Sequence, residues 1–133
     1  MKIDPNAKAS SKDKIYGLPF NEKESQVVFL PIPWDVTTSY QSGAAKGPKA
    51  ILEASPQIDL FDLEYIDAFE QGMFLRKENA KIKKLNTETR KLAEKIINAD
   101  EDKVKKNKVL QSALKKVNER CEEINDIVYQ ETK

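Results

Sequence analysis

From residue 78 onward the apolar residues recur at spacings of three and four, a period that admits little besides helix. Ile82, Leu85, Leu92 and Ile96 fall on one stripe, and Leu110, Leu114, Val117, Cys121, Ile124 and Val128 fall on a second. Two amphipathic helices are predicted for the C-terminal half. Asp100 stands where it can cap the second, with Glu101 and Asp102 in the first turn complementing the positive end of the helix dipole. The same spacing fits a coiled-coil seam, so an antiparallel hairpin or a standalone self-associating module is an alternative reading. Against that alternative, the stripes are short, and an ordinary core helix of an α/β domain shows the same period.

Upstream the pattern changes. Val27-Val28-Phe29-Leu30 is a continuous apolar run ended by Pro31, which predicts a parallel-sheet strand buried on both faces. A loop follows to Gly47. Pro48 then sits where the first helical turn needs no amide donor, and Ser55-Pro56 stops the helix after about two turns. Between residues 57 and 75 the periods mix; a short strand is predicted near 58–63 and another at Met73-Phe74-Leu75, after Gly72.

At 133 residues the chain has the size of one domain, with a polar arm expected over residues 1–26. About a third of the residues are charged, 34%, so amphipathic helices must supply much of the core. The charges balance overall but are segregated. Residues 53–70 carry six carboxylates and no Lys or Arg, whereas Lys103, Lys105, Lys106, Lys108, Lys115, Lys116 and Arg120 are accompanied by a lone Glu119 between 103 and 120. A basic polyanion-binding module is therefore a second alternative, set against a simple solvated helix face. No zinc-finger, RNP-like or helix-turn-helix pattern supports a nucleic-acid partner. No run of about 18 apolar residues and no signal-peptide pattern is present, which predicts no membrane association and a cytoplasmic location.

Several chemistries are excluded. The chain contains no histidine, so no Ser-His-Asp or Cys-His site can form within it. Cys121 lies on the apolar stripe of the last helix, where burial suppresses thiolate chemistry. The stretch from Gly43 to Lys49 lacks the spacing of a phosphate loop, and the Asp100-Glu101-Asp102 triplet reads as a capping turn before a metal site. What remains is the loop after the first strand, since ligands of open parallel sheets collect at strand carboxyl ends. Asp35, Thr38, Ser39 and Tyr40 offer acceptors and hydroxyls there, and Gly43 and Gly47 permit backbone angles closed to other residues. A turn held by its own side chains explains these residues equally well.

The stretch 33–55 resembles, without gaps, the N-terminal pattern of the ureohydrolase superfamily of arginases, agmatinases and formimidoylglutamases. The resemblance is carried by Pro33-Trp34-Asp35, Thr38-Ser39-Tyr40, Gly43-Ala44, Gly47-Pro48 and Ile51, and it is strongest to the agmatinase branch. Gln41, Ser42, Ala45 and Leu52 stand where agmatinases often have Arg, Pro, Arg and Arg. The resemblance implies a three-layer α/β/α parallel-sheet fold, of which residues 27–133 would be an incomplete N-terminal portion. It further implies a homo-oligomer that hydrolyses a linear amidine or guanidine, agmatine-like, in polyamine metabolism, releasing urea. Asp35, Thr38, Ser39, Tyr40, Gly43, Gly47 and Pro48 would shape the loop or the pocket rim. Two manganese ions would lower the pKa of bound water to attack a resonance-stabilised guanidinium carbon. The family draws its metal ligands from Gly-Gly-Asp-His, Asp-Ala-His-x-Asp and Asp-x-Asp segments that have no counterpart here. No catalytic and no metal-binding residue is therefore expected within the chain, and the isolated chain is expected to be inactive.

Overall fold

A computed structural model describes residues 3, 4 and 12–133. Part of the N-terminal arm expected over 1–26 thus lies outside the described residues. The elements are α1 (Gly47–Ala54), α2 (Ala80–Ile97), α3 (Glu101–Lys106), α4 (Lys108–Glu131) and two strands, β1 (Val27–Phe29) and β2 (Met73–Leu75). Helices together with a parallel strand pair make this an α/β chain. It divides into two units: one takes Met1–Pro31 and Gly47–Lys77, the other Ile32–Lys46 and Glu78–Lys133.

In the first unit β1 and β2 pair in parallel, Val27 opposite Met73 and Phe29 opposite Leu75. Both strands fall where the sequence places them. The expectation that β1 is buried on both faces is corrected: Val27 is 36% and Val28 39% exposed, because a two-stranded ribbon leaves flanks of its side chains in water. The predicted strand near 58–63 is also absent. Asp59 Oδ1 accepts the Phe61 amide at 2.9 Å, and Asp62 Oδ1 accepts those of Glu64 and Tyr65 at 2.8 Å each. These local side-chain bonds compete with any ladder and turn the backbone instead.

α1 begins at Gly47-Pro48 and gives way to a 3₁₀ turn at Ser55–Gln57, as the missing Pro56 amide donor requires. Ser55 is buried; its Oγ accepts from the Tyr16 amide at 2.9 Å and donates to the Leu52 carbonyl at 3.0 Å. That bond ties residues 15–17 to the end of α1, and the Tyr16 ring meets Phe29 edge-on at 6.2 Å. Ile15 and Leu18, each 2% exposed, and Phe69 are buried apolar residues of this unit.

Gly72 enters β2 with φ at +74°, and a Cβ there would lie 2.7 Å from the Glu24 carbonyl oxygen. Both the torsion and the backbone approach demand glycine. Gly72→Ala is expected to destabilise the protein by about 2–3 kcal/mol, read as a lowered thermal midpoint by circular dichroism; an unchanged midpoint would refute the close approach.

The second unit is built on α2 and α4, which pack antiparallel. Ile82 and Leu85 near the start of α2 meet Ile124 near the end of α4, while Ala93 meets Val117. Asn79 caps α2 by accepting the Lys81 and Ile82 amides at 2.9 and 3.4 Å, and its Nδ2 donates to Glu131 across the pair. The single second helix expected from Asp100 is corrected to two. Asn107 leaves helical geometry with φ −108° and ψ 110°, ends α3, and caps α4 through the Val109 and Leu110 amides. An asparagine side chain that satisfies two orphan donors offers a competitive restart, so the chain breaks there. Asp100 occupies the N-cap of α3 but makes no side-chain capping bond.

The buried lines also differ from a count of large apolar residues. On α2 they are Ile82, Leu85, Thr89 and Ala93, with Leu92 and Ile96 only partly buried; on α4 they are Ala113, Val117 and Ile124. Leu114, placed on the stripe by spacing, is 38% exposed. Cys121 packs beside Val117, and burial pushes its thiol pKa up, which keeps it protonated at neutral pH.

Candidate functional site

The sequence points to the loop after β1, and the part of it in the second unit, Ile32–Lys46, is held by residues of α2. Trp34 packs against both apolar clusters of the helix pair, and Pro33 and Val36 are fully buried. Between these anchors Asp35 is drawn inside, 6% exposed. Its amide donates to Asn86 Oδ1 at 2.8 Å, and Asn86 Nδ2 returns a bond to Asp35 Oδ1 at 3.0 Å. The second carboxylate oxygen accepts the Gly43 amide at 2.7 Å and the Ala45 amide at 3.3 Å. One side chain thereby closes an eight-residue excursion of backbone.

Arg90, one turn after Asn86 on the same helix face, grips the loop from the other side. Its Nη1 donates to the carbonyls of Asp35 at 3.0 Å, Val36 at 3.2 Å and Thr38 at 2.8 Å, and to Thr38 Oγ1 at 3.0 Å. Its Nε is paired with Glu94 at 3.0 Å. Thr38 Oγ1 in turn donates to the Asp35 carbonyl at 2.9 Å. A guanidinium that neutralises several inward-facing carbonyls resolves an otherwise costly backbone turn. Burial pushes the Asp35 carboxyl up, but the Gly43 amide, the Asn86 side chain, the Ala45 amide and the Arg90 charge outweigh it and hold the group below its ordinary pKa.

The structure therefore brings together Asp35, Thr38 and Gly43 of the residues singled out from sequence. Gly43 takes φ +135°, the permissive torsion the loop needs there. Ser39 and Tyr40 lie in the bend of the loop, and Tyr40 is 99% exposed, so its ring is not packed against the described residues. Gly47 and Pro48 open α1 in the other unit. Asn86 and Arg90 escape a sequence reading that looks for chemistry in the loop alone. The only available signal is a polar Asn-x-x-x-Arg pair flanking the buried line of α2.

Beside the clasp lies an open groove of about 430 Å³ whose walls include Gly43, Lys46, Lys83, Asn86, Arg90 and Lys91. Asp35 and Glu94 line it as well, so its walls carry both signs of charge. Both Asp35 oxygens already accept hydrogen bonds, and no group of three or more His, Cys, Asp or Glu able to hold a metal ion occurs among the described residues. These residues do not fit a manganese centre, since a hard divalent cation needs several convergent anionic or imidazole donors.

Residues 25–128 match the arginase family, most of the chain. The chain belongs to that family. A segment of this arginase-family chain is 49% identical over 41 residues to the N(1)-aminopropylagmatine ureohydrolase of Synechocystis sp., covering 31% of this chain and 13% of that relative. Another is 46% identical over 52 residues to the N(1)-aminopropylagmatine ureohydrolases of two Thermus thermophilus strains, covering 35% of this chain and 18% of each relative. The chain thus spans under a fifth of the length of the relatives it matches. No solved structure matches it.

Proposed function

We propose that these 133 residues are the N-terminal part of a ureohydrolase with a three-layer α/β/α fold that acts in the cytoplasm on a linear guanidine of the agmatine type. The observation that carries this is the family match across residues 25–128, sharpened by 46–49% identity to N(1)-aminopropylagmatine ureohydrolases. That identity favours an agmatine carrying an aminopropyl extension as the substrate. The role assigned to the loop is a pocket rim. Asp35, Thr38 and Gly43 hold its shape, Gly47 and Pro48 start the helix that follows it in sequence, and Ser39 and Tyr40 supply hydroxyls from the loop. A rim fixed before substrate arrives spends none of the binding energy on ordering itself. In this reading the manganese ligands are not among the residues of this chain.

The reading is tested by a chimera in which the matched 52-residue segment of the Thermus thermophilus enzyme is replaced by the corresponding residues of this chain. Urea release from N(1)-aminopropylagmatine is expected to persist within about tenfold, and Asp35→Ala in the chimera to lower it by about 10–100-fold, the scale of a misplaced positioning group. A folded chimera that releases no urea would overturn the assignment. The chain alone, supplied with manganese and the same substrate, is expected to release none.

A further inference from the structure

Between Thr38 and Gly43 runs a stretch whose course is set at its two ends. Ser39, Tyr40, Gln41 and Ser42 make no hydrogen bond among the described residues, so they do not fix themselves. Both ends are held from α2, by different residues. Arg90 holds the first: its Nη1 donates to the Thr38 carbonyl at 2.8 Å and to Thr38 Oγ1 at 3.0 Å. Asn86 holds the second at one remove. It bonds Asp35 twice, at 2.8 and 3.0 Å, and Asp35 Oδ2 accepts the Gly43 amide at 2.7 Å.

Neither helix residue belongs to the apolar packing of the helix pair, which Ile82, Leu85 and Ala93 make with Val117 and Ile124. Their polar groups are turned to the loop instead. Both ends of the Asn86 amide go to Asp35. The Arg90 side chain is only 15% exposed, and Glu94 braces its Nε at 3.0 Å, which leaves Nη1 aimed at the loop carbonyls.

We propose that Arg90, acting through Thr38, and Asn86, acting through Asp35, are positioning residues for the hydrolysis assigned above, on which this assignment of roles rests. They keep residues 39–42 in one course before the guanidine arrives. With either end released, the substrate must order the segment as it binds, and that loss appears in KM. Once the substrate is bound the reacting atoms are in place, and kcat is kept. A merely structural role would act otherwise: it would reduce the folded fraction and so the apparent kcat, with KM unmoved.

The full chain is tested in place of the N-terminal part of the Thermus thermophilus N(1)-aminopropylagmatine ureohydrolase, with urea release as the assay. Arg90→Met and Asn86→Leu, which keep side-chain bulk and remove the polar groups, are each expected to raise KM about tenfold with kcat within about twofold. Because both act on one segment, the double variant is expected to stay within about threefold of the worse single one. Gly72→Ala, in the other unit, is expected to lower the thermal midpoint and leave KM within about twofold. An unchanged KM in either single variant, a double variant near the product of about a hundredfold, or an equal rise in Gly72→Ala overturns the proposal, while urea release by the unsubstituted chimera preserves the functional assignment. A folded unsubstituted chimera that releases no urea overturns both. A second measurement, on the 133-residue chain itself, needs no activity. The Thr38 amide, which donates to the Asp35 carbonyl at 3.2 Å, is expected to exchange with solvent about tenfold faster in Arg90→Met, and the Gly43 amide about tenfold faster in Asn86→Leu. Unchanged exchange at both overturns the positioning roles whether or not the chimera folds.

Discussion

Replacing Asp35 by alanine is expected to lower the unfolding free energy by about 2–4 kcal/mol, the range for leaving several partly buried donors without an ionised acceptor. The variant strands the Gly43 and Ala45 amides and the Asn86 side-chain donor together, and it removes the anion that Arg90 faces. Trp34 is the sole tryptophan and sits against both clusters of the same unit, so urea unfolding followed by its fluorescence reports the loss directly. The effect also has a defined pH dependence. The folded-state pKa of Asp35 lies below its ordinary value. Its contribution is therefore fully present above the unfolded pKa of about 3.9 and is lost as pH falls through the lower folded value. Wild type and Asp35→Asn should differ at neutral pH and converge in strong acid. A gap that widened on acidification would contradict the clasp.

Ile82→Ala is expected to cost about 3–4 kcal/mol, within the range for truncating a completely buried aliphatic side chain and leaving a cavity. Ile82 is 0% exposed and touches the cluster of Leu85 and Ile124 that joins the two long helices. Leu114→Asp, by contrast, should change stability by about 1 kcal/mol or less, because its side chain already meets water and the loss is chiefly helix propensity. Denaturant midpoints of the two variants, measured side by side, decide the matter. Equal losses would mean that α4 packs through Leu114 and not through Ala113 and Val117.

That contrast shows where a sequence reading runs out. Helical spacing places α2 and α4, but it ranks positions by the size of apolar residues. The interface that forms buries Thr89, Ala93 and Ala113 instead of Leu114. Short side chains carry little hydrophobic signal, and their burial is decided by the facing helix. The break at Asn107 was legible in principle, since asparagine is a strong N-cap, yet a lysine-rich helical run masks it. Near residues 58–63 the mixed periods suggest a short strand, but two aspartates with amides two and three residues ahead are enough to turn the chain.

For the candidate site the division falls differently. The residue types of 33–48 alone marked Asp35, Thr38, Ser39, Tyr40, Gly43 and Gly47 and left open whether the loop was held by itself or served a ligand; of these, Asp35, Thr38 and Gly43 are brought together. Its family followed from the same stretch, because a gapless run of glycine, proline and aspartate positions is local in sequence. What holds the loop came from elsewhere: Asn86 and Arg90 lie 51 to 55 residues away from the groups they bond. The sequence by itself determined α1, α2, the helical run that becomes α3 and α4 without its break, the strands β1 and β2, and the family, since periodicity, capping and motif are properties of neighbouring residues. Only the tertiary structure decided which helix faces meet and which helix residues clamp Asp35, because those partners are distant in the chain and no local pattern encodes their meeting.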